Sequence, residues 1–226
     1  NMVIGLVGNF DEPRLIGEIQ SKLGTLPRAQ DPTPVPGEMT SRTQPSEKTE
    51  KRDVAANWFV LGWESPEMDS PDYHTMEVLD SITGGSMNSR LFIAIREQRG
   101  LAYQVSSFVN ARMAAGIYVA YIGTKPSSYE QAKEVLVEEV RRMGNERVAD
   151  EELANAKSYL KGMNIMSMES NGGQAGQYVQ FETLGVGYDF VDRYVKGIEA
   201  VTDDDILRVA KKYLNGNYAL GGVLAQ

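Results

Sequence analysis

Cysteine is absent from this 226-residue chain, and histidine occurs once, as His74. That pair of shortages excludes disulfide scaffolds, Cys/His zinc clusters, cysteine nucleophiles, haem attachment and any site needing two imidazoles from this chain. Excess positive charge is also lacking: 31 Asp plus Glu face 23 Lys plus Arg, a formal net charge of −8. Such a balance leaves no electrostatic footprint for neutralising a phosphate backbone, so nucleic acid is not expected as a partner. No apolar run approaches the roughly 20 residues of a membrane helix, and no basic-then-apolar leader opens the chain. A soluble chain with no membrane partner is expected, in a compartment the sequence does not specify.

What is present is ordinary globular material. Counting glycine with the apolar residues and leaving tyrosine out gives about 47%, enough to build a core. The chain opens at Asn1-Met2 and enters an apolar stretch at once, which predicts a natural N-terminus further upstream. Met2 to Val7 reads as a short buried strand. Asp11 then caps a helix that sets Leu15, Ile19 and Leu23 on one face. From Pro27 to Pro45 five prolines among polar residues favour extended, solvated backbone, the best linker in the chain.

Beyond it the periodicities predict a charged edge strand at Lys48 to Asp53 and a second strand at Asn57 to Trp63. A helix from about Pro71 carries Tyr73, Met76, Leu79 and Ile82 at helical spacing and stops at Gly84-Gly85. Another, Asn88 to Gln98, is broken by Gly100. Two strands, Leu101 to Val109 and Gly116 to Gly123, suit an antiparallel hairpin. Helices then follow at Ser128 to Met143, Asp150 to Met168, Gln174 to Leu184, Phe190 to Val201 and Asp203 to Leu214, before a last strand at Tyr218 to Leu224. That strand, from Asn217, aligns without gaps on the segment from Asn1, sharing Asn, the fifth-place Gly and the seventh-place Val. The echo suggests the end of one repeat followed by one whole repeat.

The familiar catalytic motifs are missing. His74-Thr75-Met76-Glu77-Val78 is a degenerate inverted zinc motif, H-x-x-E-H, with valine where the second imidazole belongs. One such ligand cannot hold a catalytic zinc, which needs three protein ligands plus water, so His74 reads as a partly exposed histidine on an amphipathic helix. Gly84-Gly85 lacks the surrounding residues of a nucleotide loop and reads as helix punctuation, and no G-x-S-x-G occurs. The segment from Ser89 to Val105 is different, because a helix ends in charged residues, turns at Gly100 and enters a strand at Tyr103. Arg96 and Tyr103 could converge there as donors toward peptide carbonyl oxygens and a developing oxyanion. The alternative is that Arg96 steadies its helix terminus and Tyr103 packs in the core.

Gly84-Gly85, Ser89-Arg90-Leu91-Phe92, Arg96-Glu97 and Arg99-Gly100-Leu101-Ala102-Tyr103 together resemble the second repeat of the insulinase-like, or pitrilysin-like, M16 zinc metallopeptidases. Nearly the whole chain shares the likeness, through Asn1-Met2-Val3 with Gly8 to Asp11, Asp72-Tyr73, Glu151-Glu152-Leu153 and Val201-Thr202. The resemblance implies an α+β fold, a two-layer mixed β-sheet backed by helices. It divides the chain into 1–28, the closing strand and helix of a preceding homologous domain, 29–46, a Pro-rich linker, and 47–226, a second domain of the inactive type. It also implies that zinc belongs to an N-terminal half, held by two His and a Glu, with the Glu of H-x-x-E-H as general base. This chain would then bind no metal or other cofactor and contribute no catalytic residue alone. Arg96 and Tyr103 match the family's Arg and Tyr that reach across the cleft to bind substrate peptide and steady the transition state.

The implied partners are a zinc-bearing M16 domain or subunit, joined in cis or in trans, and a peptide substrate. Without that half a face is left uncovered, which leaves room for self-association of the fragment. A non-catalytic structural or assembly subunit of the same fold is the alternative. The long glycine-rich loop of the mitochondrial processing members is reduced here to Gly84-Gly85, and a scaffold of the bc1 core-protein kind would not require both Arg96 and Tyr103.

Overall fold

The computed structural model describes residues 2–27, 42–114, 116–214 and 216–226. Its strands are β1 (Ser46–Arg52), β2 (Asn57–Ser65), β3 (Ala102–Asn110), β4 (Gly116–Thr124) and β5 (Ala219–Ala225). The α-helices are α1 (Glu12–Leu23), α2 (Tyr73–Thr83), α3 (Tyr129–Arg142), α4 (Asp150–Ser167), α5 (Asn171–Thr183), α6 (Phe190–Ala200) and α7 (Asp203–Tyr213). The five strands form one sheet in the order β1-β5-β2-β4-β3. Only the β1–β5 pair is parallel, so the sheet is mixed and the fold is α+β, as the resemblance implies.

Alternation along β2 decides which face is covered. Phe59, Leu61 and Trp63 are buried, whereas Trp58 and Val60 between them are exposed. The inward set joins Tyr118, Ala120 and Ile122 of β4 in a core completed by Met76 and Leu79 of α2, Leu136 of α3, Ile198 of α6 and Ile206 of α7. Among the described residues, helices therefore back one face and leave the other open.

The helix ends follow local chemistry. Asp11 accepts from the Arg14 amide at the start of α1, as its position suggested, and α1 has no buried residue. Thr202 and Asp205 form a reciprocal capping box at the start of α7. The buried Asp72 carboxylate ties α7 to α2, accepting from Arg208 Nη1 at 2.6 Å and Lys212 Nζ at 2.8 Å. Burial alone would push that carboxyl up, but the two charge-assisted bonds outweigh it and hold it below the usual range.

At the other end of α2, Gly84 and Gly85 do more than end a helix. The Gly84 carbonyl accepts from the Ser107 amide at 3.1 Å and from Ser106 Oγ at 3.0 Å, so the turn sits on the outer edge of β3. A Cβ on Gly84 would stand 2.4 Å from Ser107 Oγ, and one on Gly85 would stand 2.6 Å from Asp80 Oδ2. The Gly84 φ of −153° is one any residue adopts, so the requirement is steric.

Two expectations need correction. Met2–Val7 is not a strand. Its apolar character suits one, but a ladder needs a neighbouring strand for its amides and carbonyls, and β1 and β3 occupy the sheet's edges. It runs instead along α5, where a Cβ on Gly5 would lie 2.4 Å from Val179 Cγ2 and 3.0 Å from the Ala175 carbonyl. The helix expected over Asn88 to Gln98 starts at Arg90 and becomes a π-helix over Phe92–Glu97. Most of the linker, including Pro32, Pro34 and Pro36, lies outside the described residues.

Gly84→Ala should lower stability by about 2 kcal/mol, because Ser107 and the strand beneath it must shift to admit a methyl group. Urea unfolding of the two proteins tests this. A midpoint unchanged by the substitution would show that the turn does not need its close approach.

Candidate functional site

Arg96 and Tyr103 sit on opposite sides of an irregular turn fastened from below. Arg90 begins the segment with a bidentate pair to Glu152 of α4, both contacts at 2.7 Å. Leu91, Ala94 and Ile95 are buried and fix the inner side. The Gln98 amide donates to the Ile93 carbonyl at 2.9 Å, five residues back, which defines the wide π turn. Arg99 Nη1 donates to the Ala94 carbonyl at 2.7 Å, and Gly100 takes the left-handed φ of 60° that releases the chain from the helix. Thr124 Oγ1 then donates to the Leu101 carbonyl and pins the strand entry.

Immediately afterwards the strand carries a β-bulge. Ala102 pairs with Thr124 and Gln104 with Gly123, so Tyr103 is the extra residue without a partner on β4. A bulge re-aims one side chain, and Tyr103 stands 56% exposed. The core placement entertained for it is therefore wrong: the inserted residue breaks the alternation that would have turned it inward. Arg96 is exposed as well, its guanidinium 5.0 Å from the Phe92 ring centre. Neither polar tip hydrogen-bonds to any described residue, and no contact joins the two. Both are thus held at their bases and free at their ends.

The open sheet face continues from this turn. Trp58 lies over Gly123, where a Cβ would come within 2.7 Å of the indole, and Gly123 is the cross-strand partner of Gln104. Val60 faces Tyr121 across β2 and β4, Gln104 Nε2 donates to the Tyr121 hydroxyl at 3.3 Å, and Phe108 packs on Tyr121 at 6.2 Å. Sequence reasoning passed over this face, although the exposed phase of β2, Trp58 then Val60, carries its signal. Aromatic and branched side chains flanked by free strand-end donors suit an extended peptide.

His74 and Glu77 do not make a metal centre. The imidazole stacks on Phe190 at 5.6 Å and 15°, wedged so tightly against α6 that a Cβ on Gly197 would lie 2.4 Å from its Cδ2. Burial, with a smaller contribution from Arg193, pushes its pKa down. Glu77 instead lines a cavity of about 470 Å³ that His74 does not line. The two donors serve different surroundings, Val78 contributes none, and among the described residues no three His, Asp or Glu side chains cluster as ligands. These residues do not fit zinc.

The Glu77 carboxyl, missed as a site by its reading within a failed motif, is pushed up to about 7 by burial and by nearby Asp80. Burial likewise pushes Asp80 up to about 7, against the lowering effect of its bond from Ser107. An ordinary carboxylate titrates near 4. Between roughly pH 4 and pH 7 the folded state holds protons that the unfolded state releases, so stability is lost as pH rises through about 7.

A family model described as the peptidase M16 inactive domain matches residues 1–160. An uncharacterized zinc protease of Streptomyces coelicolor is 27% identical over 219 residues, 95% of this chain and 48% of that protein. A probable inactive metalloprotease of Bacillus subtilis is 26% identical over 183 residues, 80% of this chain and 42% of its own length. The chain thus spans about half the length of the curated relatives it matches. A protease of Helicobacter pylori superposes with a TM-score of 0.83 at 18% identity, over 96% of this chain and 53% of that structure.

The melting temperature should be higher at pH 5 than at pH 8, and Glu77→Gln should reduce that difference. Calorimetry at the two pH values decides it, and an unreduced difference in the variant would remove Glu77 as a cause.

Proposed function

The chain belongs to the M16 peptidase family, in its inactive-type domain, and from that premise we propose that it is the substrate-binding half of a zinc-dependent endopeptidase. A zinc-bearing half, in the same polypeptide or a separate subunit, completes the active site. The observation that carries this reading is the pairing of a π turn with a β-bulge that mounts Arg96 and Tyr103, exposed and without polar partners among the described residues, on a rigid base. Irregular backbone of this kind concentrates where a side chain must be presented.

In this reading an extended peptide lies toward the open aromatic face. Arg96 donates to its carbonyl oxygens, and the Tyr103 phenol donates to the oxygen that gains charge when the scissile carbonyl is attacked. A zinc ion held by the other half would supply the Lewis acidity that activates water. Residues 1–28 close a preceding homologous domain, 29–46 form the linker and 47–226 form the second domain. The exposed Met2, Ile4, Leu6 and Phe10, and the lack of any buried residue in α1, support a neighbour on that side.

A second reading, a non-catalytic assembly subunit, is favoured by the relative described as an inactive metalloprotease. With a zinc-bearing half supplied, Arg96→Ala and Tyr103→Phe should each lower kcat/KM for a quenched fluorescent peptide by roughly 100-fold. Both residues are exposed, so melting should be unchanged. Undiminished cleavage by both variants would sink the assigned roles and leave the assembly reading.

A further inference from the structure

The cavity beside Glu77 is separate from the surface that presents Arg96 and Tyr103. It is bounded by α2, α4, α5 and α6 and by Asn110 at the far end of β3, about 24 Å along that strand from Tyr103 at 3.4 Å per residue. Its walls include Met68, Leu160, Met163 and Phe181, and amides stand around them at Asn110 and Gln180.

Among the described residues lining this space, Glu77 brings the one carboxyl, and no lysine, arginine or histidine lines it. The polar neighbours of the Glu77 carboxylate are the phenols of Tyr73, on its own helix, and of Tyr194, on α6, and the nearest charge is Asp80, of the same sign. Tyr159 is the titratable side chain that α4 places in the lining, and α5 contributes only uncharged groups. Among the described residues no lysine, arginine or histidine pairs with Glu77. A desolvated carboxylate is costly without a counter-ion, and here the position a counter-ion would take opens into a cavity with apolar walls. A divalent cation would need six or more oxygen ligands, which one carboxylate does not supply.

We propose that this cavity binds an ammonium or guanidinium group carried on an aliphatic stem, with Glu77 as its counter-ion and the methionine and phenylalanine walls covering the stem. A lysine or arginine side chain of a polypeptide and a free alkylamine share that chemistry. The inference does not depend on the roles given to Arg96 and Tyr103. Because ion pairing favours the ionised carboxylate, binding near pH 7 should release a proton.

Isothermal titration of this chain with n-butylammonium and with Nα-acetyl-lysine amide tests the proposal, n-butanol being the uncharged control. Both amines should bind saturably, butanol should not, and the apparent enthalpy should vary with the buffer's ionisation enthalpy. Glu77→Gln should weaken the amines roughly tenfold. Met163→Trp, placed on the exposed rim of the cavity, should weaken them without touching the charge, so the test stands even if Glu77→Gln does not fold. A lysine peptide binding at least as well as the free amine, and better than its norleucine counterpart, would indicate a polypeptide source; binding of the free amine alone would indicate a small ligand. Equal behaviour of amine and butanol, or full affinity in both variants, would overturn the proposal.

Discussion

Asp80 reaches from α2 into the interior and accepts from Ser107 Oγ on β3 at 2.5 Å, while two residues without side chains, Gly84 and Gly85, let the same helix end lie on the edge of that strand. This crossing sets the height and register of β3, the sheet's edge strand. Its far end is set by Thr124 on the Leu101 carbonyl. Tyr103 and Gln104, exposed on this strand, lie between those two fastenings. The carboxylate is held there at the cost of a raised pKa, which ties the position of the strand to protonation in the core.

Much of the architecture was legible because it rests on period and punctuation. Strand alternation placed β2 and β4, and helical spacing together with Asp11 and Gly84-Gly85 placed α1 and α2. Two of the misreadings turn on a single hydrogen bond or a single inserted residue. An i to i+5 bond from Gln98 makes a π turn out of a segment whose apolar spacing still reads as α. From buried Val105, a step of two points Tyr103 inward, and the bulge reverses it. Met2–Val7 has the composition of a strand, but among the described residues no strand pairs with it. Likewise, one polar neighbour of the Glu77 carboxyl is Tyr194, more than a hundred residues away, and no local pattern could announce that.

The choice of Arg96 and Tyr103 rested on the family resemblance, and the structure adds a physical account of how such a pair is presented. Arg90 and Arg99, in the same basic run, are taken up by Glu152 and the Ala94 carbonyl. Three arginines close in sequence thus have three surroundings: Arg90 is half-buried in an ion pair, Arg99 is exposed but bonded back to the turn, and Arg96 is exposed with no polar partner among the described residues. A charge count along the segment would treat them alike; only the bonding of their neighbours tells them apart.

The two edges of the sheet bear on how copies of this chain meet. Along β1 every residue from Ser46 to Arg52 is exposed, and Lys48, Lys51 and Arg52 alternate with Glu47 and Glu50. At the opposite edge β3 is interrupted by its bulge and partly covered by the Gly84 carbonyl. Charge on one side and irregularity on the other oppose the strand-to-strand templating through which open sheets propagate into fibrils. The sheet therefore ends where it does by the chemistry of its edges, with charge closing one side and an interrupted ladder the other.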